Sequence, residues 1–263
     1  MPMGRETVPD VRRNPPMITA TTRLVALLGH PVAHSLSPRM QNAAFAAHAL
    51  DWAYVACDVD PDALPAAVAG LRALGFAGAN VTIPHKGGVA ELCDELDDLS
   101  RRSGAVNTLV FRDGRIVGAN TDGPAVAGAV DGTGAHVLVL GRGGAARAAA
   151  VALEDAGAAS VRIASRSDAN WPPAADDATI LVNATPLRDE VPAAPQLNQQ
   201  VVDLAYRPDG RPTALVAAAR EAGCATVVDG LGILVRQGAA AFELWTGVAA
   251  PLRVMRAAVT RIV

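Results

Sequence analysis

The sequence contains little lysine, few aromatic residues and no long apolar run. Aromatic residues make up 3% of the chain, and Lys86 is the only lysine among its 23 lysine and arginine residues. No apolar stretch reaches the ~18 residues that a transmembrane helix requires. Residues 1–22 carry charges and prolines instead of an apolar segment, so we expect no secretory signal there. These absences exclude a helical membrane protein.

Cysteine, histidine and excess charge are also sparse. Cys57, Cys93 and Cys224 are too far apart for a metal-ligand spacing and suit a reducing cytoplasm better than a disulfide framework. The five histidines form no metal-binding pair. A net charge of −3 gives no field that would gather nucleic acid. We therefore expect a cytoplasmic protein with no metal and no nucleic-acid partner.

The single lysine has two interpretations. Arginine stays protonated, whereas a lysine ammonium can lose a proton in a suitable environment. Every other basic residue of this kind in the chain is arginine. Lys86 is therefore either a functional residue or the one lysine that remained by chance.

From residue 23 onward, short apolar runs alternate with helical stretches, which predicts an α/β fold with parallel sheets covered by helices. The predicted strands are 23–29, 52–59, 78–83, 105–111, 116–119, 136–140, 160–165, 179–183, 200–205 and 225–228. The predicted helices are 38–50, 61–74, 85–94, 122–130, 145–156, 213–222, 233–246 and 251–262. Asp113-Gly114 predicts a hairpin turn, and Pro172-Pro173 predicts an irregular crossover.

A glycine-rich loop follows the predicted strand 136–140 and precedes a helix. Gly141 permits a tight turn, Gly143 lets the backbone approach a pyrophosphate, and small residues beyond them let the helix pack closely. The next strand ends in Ser165-Arg166-Ser167, where an NAD site would carry an acidic residue. A guanidinium and two hydroxyls suit a 2′-phosphate, which favours NADP despite the nearby Asp168.

Polar residues lie at further predicted strand ends. Ser37 is predicted as a helix N-cap with Pro38 at N1, and with Ser35 it forms either an ordinary cap or a carboxylate site. Asn80 and Thr82 share one strand face, at the end of a parallel strand where ligands bind.

Three other polar residues are candidates. Asn107 and Asp122 lie in turn-forming segments. Gln237 lies on an apolar helix stripe, where its amide needs a partner in a neighbouring loop or in a ligand.

Together these segments resemble the shikimate dehydrogenases from about Leu24 to Trp245. The matching motifs are HSLSP at 34–38, NVTIPHK at 80–86, GAVNT at 104–108, NTDG at 120–123, GRGGAAR at 141–147, DLAY at 203–206 and DGLGILVRQGAAAFELW at 229–245. The resemblance implies reversible NADPH-dependent reduction of 3-dehydroshikimate to shikimate, in aromatic amino-acid (chorismate) biosynthesis. It also implies a substrate domain over 22–122 completed by helices in 238–263, a Rossmann-like NADP-binding domain over 123–237, and a disordered tail over 1–21.

The resemblance also implies roles for individual residues. Lys86 and Asp122 would form the catalytic pair, with Lys86 donating a proton as the hydride is transferred. The implied substrate-binding residues are Ser35 and Ser37 for the carboxylate, and Asn80, Thr82, Asn107, Tyr206 and Gln237 for the ring hydroxyls. The implied cofactor-binding residues are Gly141, Arg142, Gly143, Gly144, Ala145, Ser165, Arg166, Ser167, Leu204 and Gly230.

Two positions depart from the family pattern. Arg142 stands in a loop that usually reads GAGGA, where it either contacts a phosphate or points to solvent. The strand end usually reads NRT with a second arginine, and here Asn170 stands at that later position, which weakens the NADP preference.

Other functions stay open at this point. An NAD-preferring quinate/shikimate dehydrogenase is one, although Ser37 argues against it, and an aminoshikimate dehydrogenase is another. A non-catalytic nucleotide-binding regulator is a third, against which the intact Lys86 and Asp122 argue. A monomer and a homodimer are both compatible with the sequence.

Overall fold

The computed structural model of the protein describes residues 17–260, which fold into two β-sheets with helices on their faces. The first sheet has the strands β1 (Arg23–Gly29), β2 (Trp52–Asp58), β3 (Gly78–Val81), β4 (Glu95–Leu96), β5 (Thr108–Arg112) and β6 (Arg115–Ala119). The second sheet has the strands β7 (His136–Leu140), β8 (Ser160–Ala164), β9 (Ile180–Asn183), β10 (Gln200–Asp203) and β11 (Thr226–Val228). The helices are α1 (Ser37–Ala47), α2 (Leu64–Ala73), α3 (Asp98–Ser103), α4 (Asp122–Ala127), α5 (Gly144–Asp155), α6 (Ala214–Glu221), α7 (Gly230–Thr246) and α8 (Leu252–Thr260).

The first sheet is mixed, which differs from the predicted parallel arrangement. Its strand order is β2-β1-β3-β5-β6-β4, and β5 runs antiparallel to both β3 and β6. The reversal occurs because β5 and β6 form the predicted hairpin, whose turn residues Asp113 and Gly114 have φ values of 52° and 75°. Left-handed backbone at both central positions matches the twist of the flanking strands.

Three segments between β3 and β5 differ from the prediction. The predicted helix over 85–94 is replaced by turns and a short 3₁₀ segment (Gly88–Leu92), because two consecutive glycines after Pro84 disfavour an α-helix. The short strand β4 and the helix α3 were not predicted. Helix α3 is nevertheless capped by Asp97, whose carboxylate accepts a hydrogen bond from the Ser100 N–H at 2.6 Å.

The second sheet is parallel throughout, with the strand order β11-β10-β9-β7-β8. The crossover between β8 and β9 contains no helix over residues 165–179, as Pro172 and Pro173 predicted. The chain passes from β7 to β8 on one side, and β9 lies on the other side of β7. The strand order therefore reverses beside β7, which is where open α/β sheets bind ligands.

Helix α7 belongs to the cores of both halves. Ile233 packs in the core of the second sheet, whereas Leu234 and Phe242 pack in the core of the first sheet. Trp245, near the end of the helix, donates its indole N–H to the Leu109 carbonyl of β5 at 2.9 Å. The same helix therefore fixes the position of both sheets. It runs unbroken through residues 237 and 238, where the sequence placed a domain boundary.

The predicted disordered tail lies mostly outside the described residues, which begin at 17. Its last residues differ from the prediction, since Thr21 donates a hydrogen bond to Asp51 at 2.6 Å. Thr22 donates to the second oxygen of the same carboxylate at 2.6 Å. This anchor holds the chain where it enters β1.

Two kinds of feature are absent from residues 17–260. None of their helices is long and apolar enough to cross a membrane. Within the same residues, no three His, Cys, Asp or Glu side chains are grouped so that they could hold a metal ion.

Candidate active site

A cavity of about 800 Å³ lies between the two sheets, and every site residue predicted from the sequence lines it. Residues from the first half are Ser35, Ser37, Asn80, Thr82, Lys86, Asn107 and Asp122. Residues from the second half and from α7 are those at 141–145 and 165–167, with Leu204, Tyr206, Gly230 and Gln237. Because strand ends of both sheets open into one cavity, a dinucleotide and a small acid have room to meet there.

Lys86 and Asp122 form an ion pair inside this cavity. The Lys86 Nζ lies 2.5 Å from the Asp122 Oδ2, and the side chains are only 15% and 8% exposed. Little water reaches the pair, so its charges act on a neighbouring ligand more strongly than surface charges would. The two residues are 36 positions apart in the chain, and the fold brings them into contact.

Backbone contacts hold Lys86 in place. The His85 ring donates to the Val59 carbonyl at 2.8 Å and is buried, which fixes the residue before the lysine. The Lys86 carbonyl accepts a hydrogen bond from the Val106 N–H at 2.8 Å. The lysine backbone is thus fixed on both sides, and its side chain alone extends towards Asp122.

Asn120 holds Asp122, a role that the sequence did not reveal. Its Oδ1 accepts hydrogen bonds from the N–H groups of Asp122 at 3.0 Å and Gly123 at 3.2 Å. Its Nδ2 donates to the Ala105 carbonyl at 2.9 Å. An Asn-Thr-Asp-Gly sequence before a helix is a recognisable capping pattern, so this signal was available.

Asn80 and Asn107 are part of a buried polar network. The Asn80 amide donates to the Asn107 carbonyl and to the Thr108 hydroxyl, both at 3.1 Å, and accepts from the Tyr54 hydroxyl at 2.8 Å. The Asn107 Nδ2 donates to Thr121 at 2.9 Å. Both Asn80 donors are therefore used within the protein, whereas one Asn107 N–H has no partner among residues 17–260. Of the two amides, Asn107 is the better donor for a ligand.

Ser35 and Ser37 lie where α1 begins, although not as predicted. Ser37 is the first residue of the helix, and Leu36 occupies the N-cap position with no side-chain cap. The prediction of Ser37 as N-cap and Pro38 at N1 was wrong by one residue, because the Ser37 N–H is held by the Ser35 hydroxyl at 3.2 Å. Both residues line the cavity beside a helix start without a side-chain cap, a position that suits an anion.

Tyr206 and Gln237 complete the substrate side of the cavity. The Tyr206 hydroxyl accepts a hydrogen bond from the Leu36 N–H at 3.4 Å. Burial raises the pKa of Tyr206, so it remains a neutral phenol that can donate a hydrogen bond. The Gln237 Nε2 donates to the Leu234 carbonyl of its own helix at 3.0 Å, which leaves its oxygen available on the cavity side.

The glycine loop follows β7 and precedes α5, as predicted, and it packs against the residues that follow β9. Gly141 has φ +111°, a value that side chains rarely adopt, and a Cβ there would lie 3.0 Å from the Ala184 carbonyl oxygen. Gly143 is the N-cap of α5 and provides no capping side chain. The first N–H groups of α5 consequently face the cavity, in the geometry that binds phosphate.

Arg142 forms an ion pair with Asp168, and its side chain stays more than half exposed at the edge of the cavity. Its Nη2 donates to the two Asp168 oxygens at 2.9 and 3.2 Å. Asp168 also accepts from the Ser165 N–H at 2.8 Å. That backbone bond, together with the charge of Arg142, lowers the pKa of Asp168. An ionised carboxylate therefore lies between the glycine loop and the end of β8.

Arg166 and Ser167 form the rest of this corner. Arg166 is exposed and forms no ion pair within residues 17–260. The hydroxyls of Ser165 and Ser167 are 2.8 Å apart. A guanidinium that has no ion-pair partner among residues 17–260, beside two hydroxyls, fits a 2′-phosphate. The negative charge of the adjacent Asp168 would weaken the binding of that phosphate.

Two arginines that line the cavity were not predicted as site residues from the sequence. Arg147 in α5 donates to the carbonyls of Ser103 at 2.6 Å and Gly104 at 2.9 Å, and so ties α5 to the first half of the protein. Arg188 lies in the loop after β9 and lines the cavity next to Tyr206. Neither position has a local pattern that distinguishes it from a surface arginine.

The chain is similar in sequence and in fold to known shikimate dehydrogenases. Residues 27–109 match the model of the shikimate dehydrogenase substrate binding domain, and residues 230–260 match that of the shikimate 5′-dehydrogenase C-terminal domain. The NADP(+) shikimate dehydrogenase of Moorella thermoacetica is 43% identical, over 90% of this chain and 92% of its own length. The shikimate 5-dehydrogenase of Thermus thermophilus in complex with NADP(H) and shikimate has a TM-score of 0.80 at 35% identity, covering 91% of this chain and 99% of that one.

The fold is also found with another named activity. The 5-ketofructose reductase of Gluconobacter sp. strain CHM43 has a TM-score of 0.82 at 30% identity, covering 93% of this chain and 100% of that one. The NADP(+) shikimate dehydrogenases of Moorella thermoacetica and Rubrobacter xylanophilus are more similar, at 43% and 45% identity over at least 90% of both chains. On this evidence, the chain belongs to the shikimate dehydrogenase family.

Proposed function

We propose that this protein catalyses the reversible reduction of 3-dehydroshikimate to shikimate with NADPH. The observation that carries the proposal is the Lys86–Asp122 pair, 2.5 Å apart, in the same cavity as the glycine loop. A regulator that only binds a nucleotide has no use for a shielded lysine–carboxylate pair beside it. The relatives are shikimate dehydrogenases that use NADP(+), which supports the same reaction.

The residues around the glycine loop fit NADP. Gly143 leaves open space above the start of α5, since a Cβ placed there would meet nothing within 4 Å. A pyrophosphate would be held by the N–H groups of this loop, and a 2′-phosphate by Arg166 with Ser165 and Ser167. Leu204 and Gly230 line the cavity near the substrate side and would flank the nicotinamide. When bound, the cofactor supplies or accepts the hydride.

Lys86 donates the proton to the ketone oxygen and, with Asp122, accepts it in the reverse direction. Reduction of a ketone develops negative charge on its oxygen, and the Lys86 ammonium can donate a proton to that oxygen. Asp122 holds the ammonium in place through the 2.5 Å contact and can accept a hydrogen bond from a ring hydroxyl. In the reverse direction the same pair receives the proton from the hydroxyl that is oxidised. The two residues act as one coupled unit.

The other polar residues orient the substrate. Ser35, Ser37 and the Tyr206 hydroxyl lie at the start of α1 and would bind the carboxylate. Thr82, the free Asn107 N–H and the Gln237 oxygen would bind ring hydroxyls. Asn80 contributes mainly by fixing Asn107 and Thr108, since both of its donors are used inside the protein.

A spectrophotometric assay tests the proposal. Purified protein is mixed with shikimate, quinate or 5-ketofructose, using the oxidised cofactor for the first two and the reduced cofactor for the third. Each substrate is paired with both the NADP and the NAD form. We expect the highest kcat/KM with shikimate and NADP⁺. Preference for quinate or NAD⁺ would assign the protein to the NAD-using relatives, and no turnover in any pairing would contradict an enzymatic role.

Location and assembly are part of the same proposal. We infer that the protein acts in the cytoplasm, where its product would enter aromatic amino-acid biosynthesis. We propose that the active form is either a monomer or a homodimer. Sedimentation at assay concentration, compared with specific activity across dilutions, separates these two states.

A further inference from the structure

Arg188 lines the cavity, and its guanidinium has no hydrogen-bond or ion-pair partner among residues 17–260. Its Nε is buried and forms no hydrogen bond, and no carboxylate within residues 17–260 pairs with it. Leaving a buried donor of a charged group unsatisfied costs more than the loss of an ordinary hydrogen bond. Such a group is expected to have an acceptor in the functional state, and the open cavity is where a ligand can supply one.

The backbone of Arg188 is fixed, so the side chain is not part of a loose loop. The Arg188 carbonyl accepts a hydrogen bond from the Ala214 N–H at 2.9 Å. It also accepts one from the Arg207 guanidinium at 3.2 Å, and Arg207 in turn pairs with Asp189. The neighbouring acidic residue is therefore already used, and the Arg188 charge remains uncompensated in the cavity.

The other cavity arginines differ from Arg188 in this respect. Arg142 is paired with Asp168, and Arg147 donates to three backbone carbonyls. Arg166 is free, but it is exposed at the opposite corner, beside Ser165. Among the described residues that line the cavity, Arg188 is thus the cation that is partly buried and whose guanidinium has no partner.

The position of Arg188 distinguishes between two possible anions. Cofactor phosphates would lie at the glycine loop, at 141–145. The Arg188 carbonyl instead contacts the guanidinium of Arg207 at 3.2 Å. Arg207 directly follows Tyr206, and the Tyr206 hydroxyl contacts the Leu36 N–H beside Ser35. This places the guanidinium on the side of the cavity where the proposed function puts the substrate carboxylate.

We propose that Arg188 binds the substrate carboxylate and is a specificity-determining residue of this enzyme. The proposal rests on the function proposed above and adds a charge to the hydroxyls of Ser35, Ser37 and Tyr206. A guanidinium binds a carboxylate through two parallel hydrogen bonds between opposite charges, whereas a hydroxyl offers one hydrogen bond and no positive charge. Since Arg188 follows β9 and the two serines lie at the start of α1, a carboxylate held by all of them connects the two halves across the cavity.

The test compares wild-type protein with Arg188→Gln on shikimate and on its uncharged methyl ester. Loss of a charged hydrogen bond predicts that KM for shikimate rises about 10- to 100-fold in the variant. We expect kcat to change less than about threefold, because a contact made equally in ground and transition states affects KM. On the methyl ester the two proteins should have the same kcat/KM within about threefold. KM for NADP⁺ should not change.

Two further variants control for charge and for folding. Arg211→Gln removes an exposed arginine, paired with Asp209, that does not line this cavity, and should leave KM for shikimate unchanged. Arg188→Lys keeps the charge without the paired geometry and should give an intermediate KM. The thermal midpoint of unliganded Arg188→Gln should equal or exceed that of the wild type, because an unpaired buried donor is removed.

Other results overturn the proposal. An equal loss on acid and ester would show that Arg188 does not recognise the carboxylate. A rise confined to KM for NADP⁺ would assign Arg188 to the cofactor, and unchanged constants would show that it binds neither. If the wild type itself does not oxidise shikimate, both this inference and the proposed function fail. If the wild type turns over and the variant matches it, this inference alone fails.

Discussion

Gly144, in the dinucleotide loop, lies directly against Lys86. A Cβ added to Gly144 would be 2.9 Å from the Lys86 Cβ and 3.0 Å from the Ala105 Cβ. The first residue of α5 therefore lies against Lys86, the proposed proton donor in the other half of the protein. This contact couples the position of the glycine loop to that of the proposed catalytic pair.

We expect Gly144→Ala to lower kcat at saturating substrates by about tenfold or more. The new methyl group must displace Lys86, and small misplacements of a catalytic group cost about that much or more. Steady-state kinetics at saturation measures the effect. Gly70→Ala is the matched control, since a Cβ there meets nothing within 4 Å and should leave kcat unchanged. A kcat of Gly144→Ala near the wild-type value would show that the contact is irrelevant to catalysis.

Replacing Lys86 by arginine should abolish most turnover while the protein still folds. Arginine keeps the positive charge near Asp122, but it does not release a proton at ordinary pH. We expect kcat to fall by a factor of about 10² to 10⁴, the usual contribution of a positioned acid or base. Stopped-flow or steady-state absorbance at saturation measures the loss, with thermal unfolding as the folding control. Near-normal turnover would remove Lys86 from the proposed mechanism.

Asp168 should weaken the preference for NADP over NAD. Its carboxylate pairs with Arg142 and lies beside the proposed 2′-phosphate site. Asp168→Asn removes the repelling charge and releases Arg142, so we expect kcat/KM for NADP⁺ to rise several-fold relative to NAD⁺. Arg166→Gln is the opposing variant and should raise KM for NADP⁺ about tenfold with little effect on NAD⁺. If both variants leave the ratio unchanged, the 2′-phosphate site lies elsewhere.

Asp203 should make stability depend on pH. Burial raises the pKa of this carboxyl from 3.8 to about 6, despite hydrogen bonds from Thr213, the Ala205 N–H and Asn183. Between these two values the folded protein binds more protons than the unfolded chain, so this group's contribution to stability falls as pH rises. The loss levels off about one pH unit above the folded pKa, near pH 7.

Urea unfolding of wild type and Asp203→Asn measures this contribution. From about pH 4.5 to about pH 7, the wild type should lose roughly 2 kcal/mol relative to the variant, which cannot ionise. Other titrating groups are common to both proteins and cancel in the difference. A difference that stays constant with pH would show that Asp203 titrates normally.

Part of the fold and site could be predicted because the signals are local. The strand–loop–helix around Gly141, the hairpin turn at Asp113-Gly114 and the proline-broken crossover each depend on the backbone preferences of a few adjacent residues. The motif order then indicated the family, which the relatives confirmed. The segment 85–94 was misassigned because its apolar spacing suggested a helix, while two glycines favoured turns.

The remaining features depend on residues that are distant in the chain. Arg142 contacts Asp168, which lies 26 positions further along the chain, because the fold places the end of β8 beside the glycine loop. The antiparallel pairing of β5 with β3 depends on which strand β5 meets in the sheet. The Arg188 guanidinium has no partner among residues 17–260 because the nearby Asp189 pairs with Arg207. No local preference specifies these outcomes.

The sequence by itself determined the family, the cofactor loop and the identity of the proposed catalytic pair, since each is written in short motifs with their own backbone chemistry. Only the tertiary structure decided that Lys86 and Asp122 form an ion pair, that Gly144 packs against Lys86 and that Arg188 lacks a partner among the described residues. The physical reason is that close packing and charge pairing are properties of neighbours in space, and folding brings those neighbours together from distant parts of the chain.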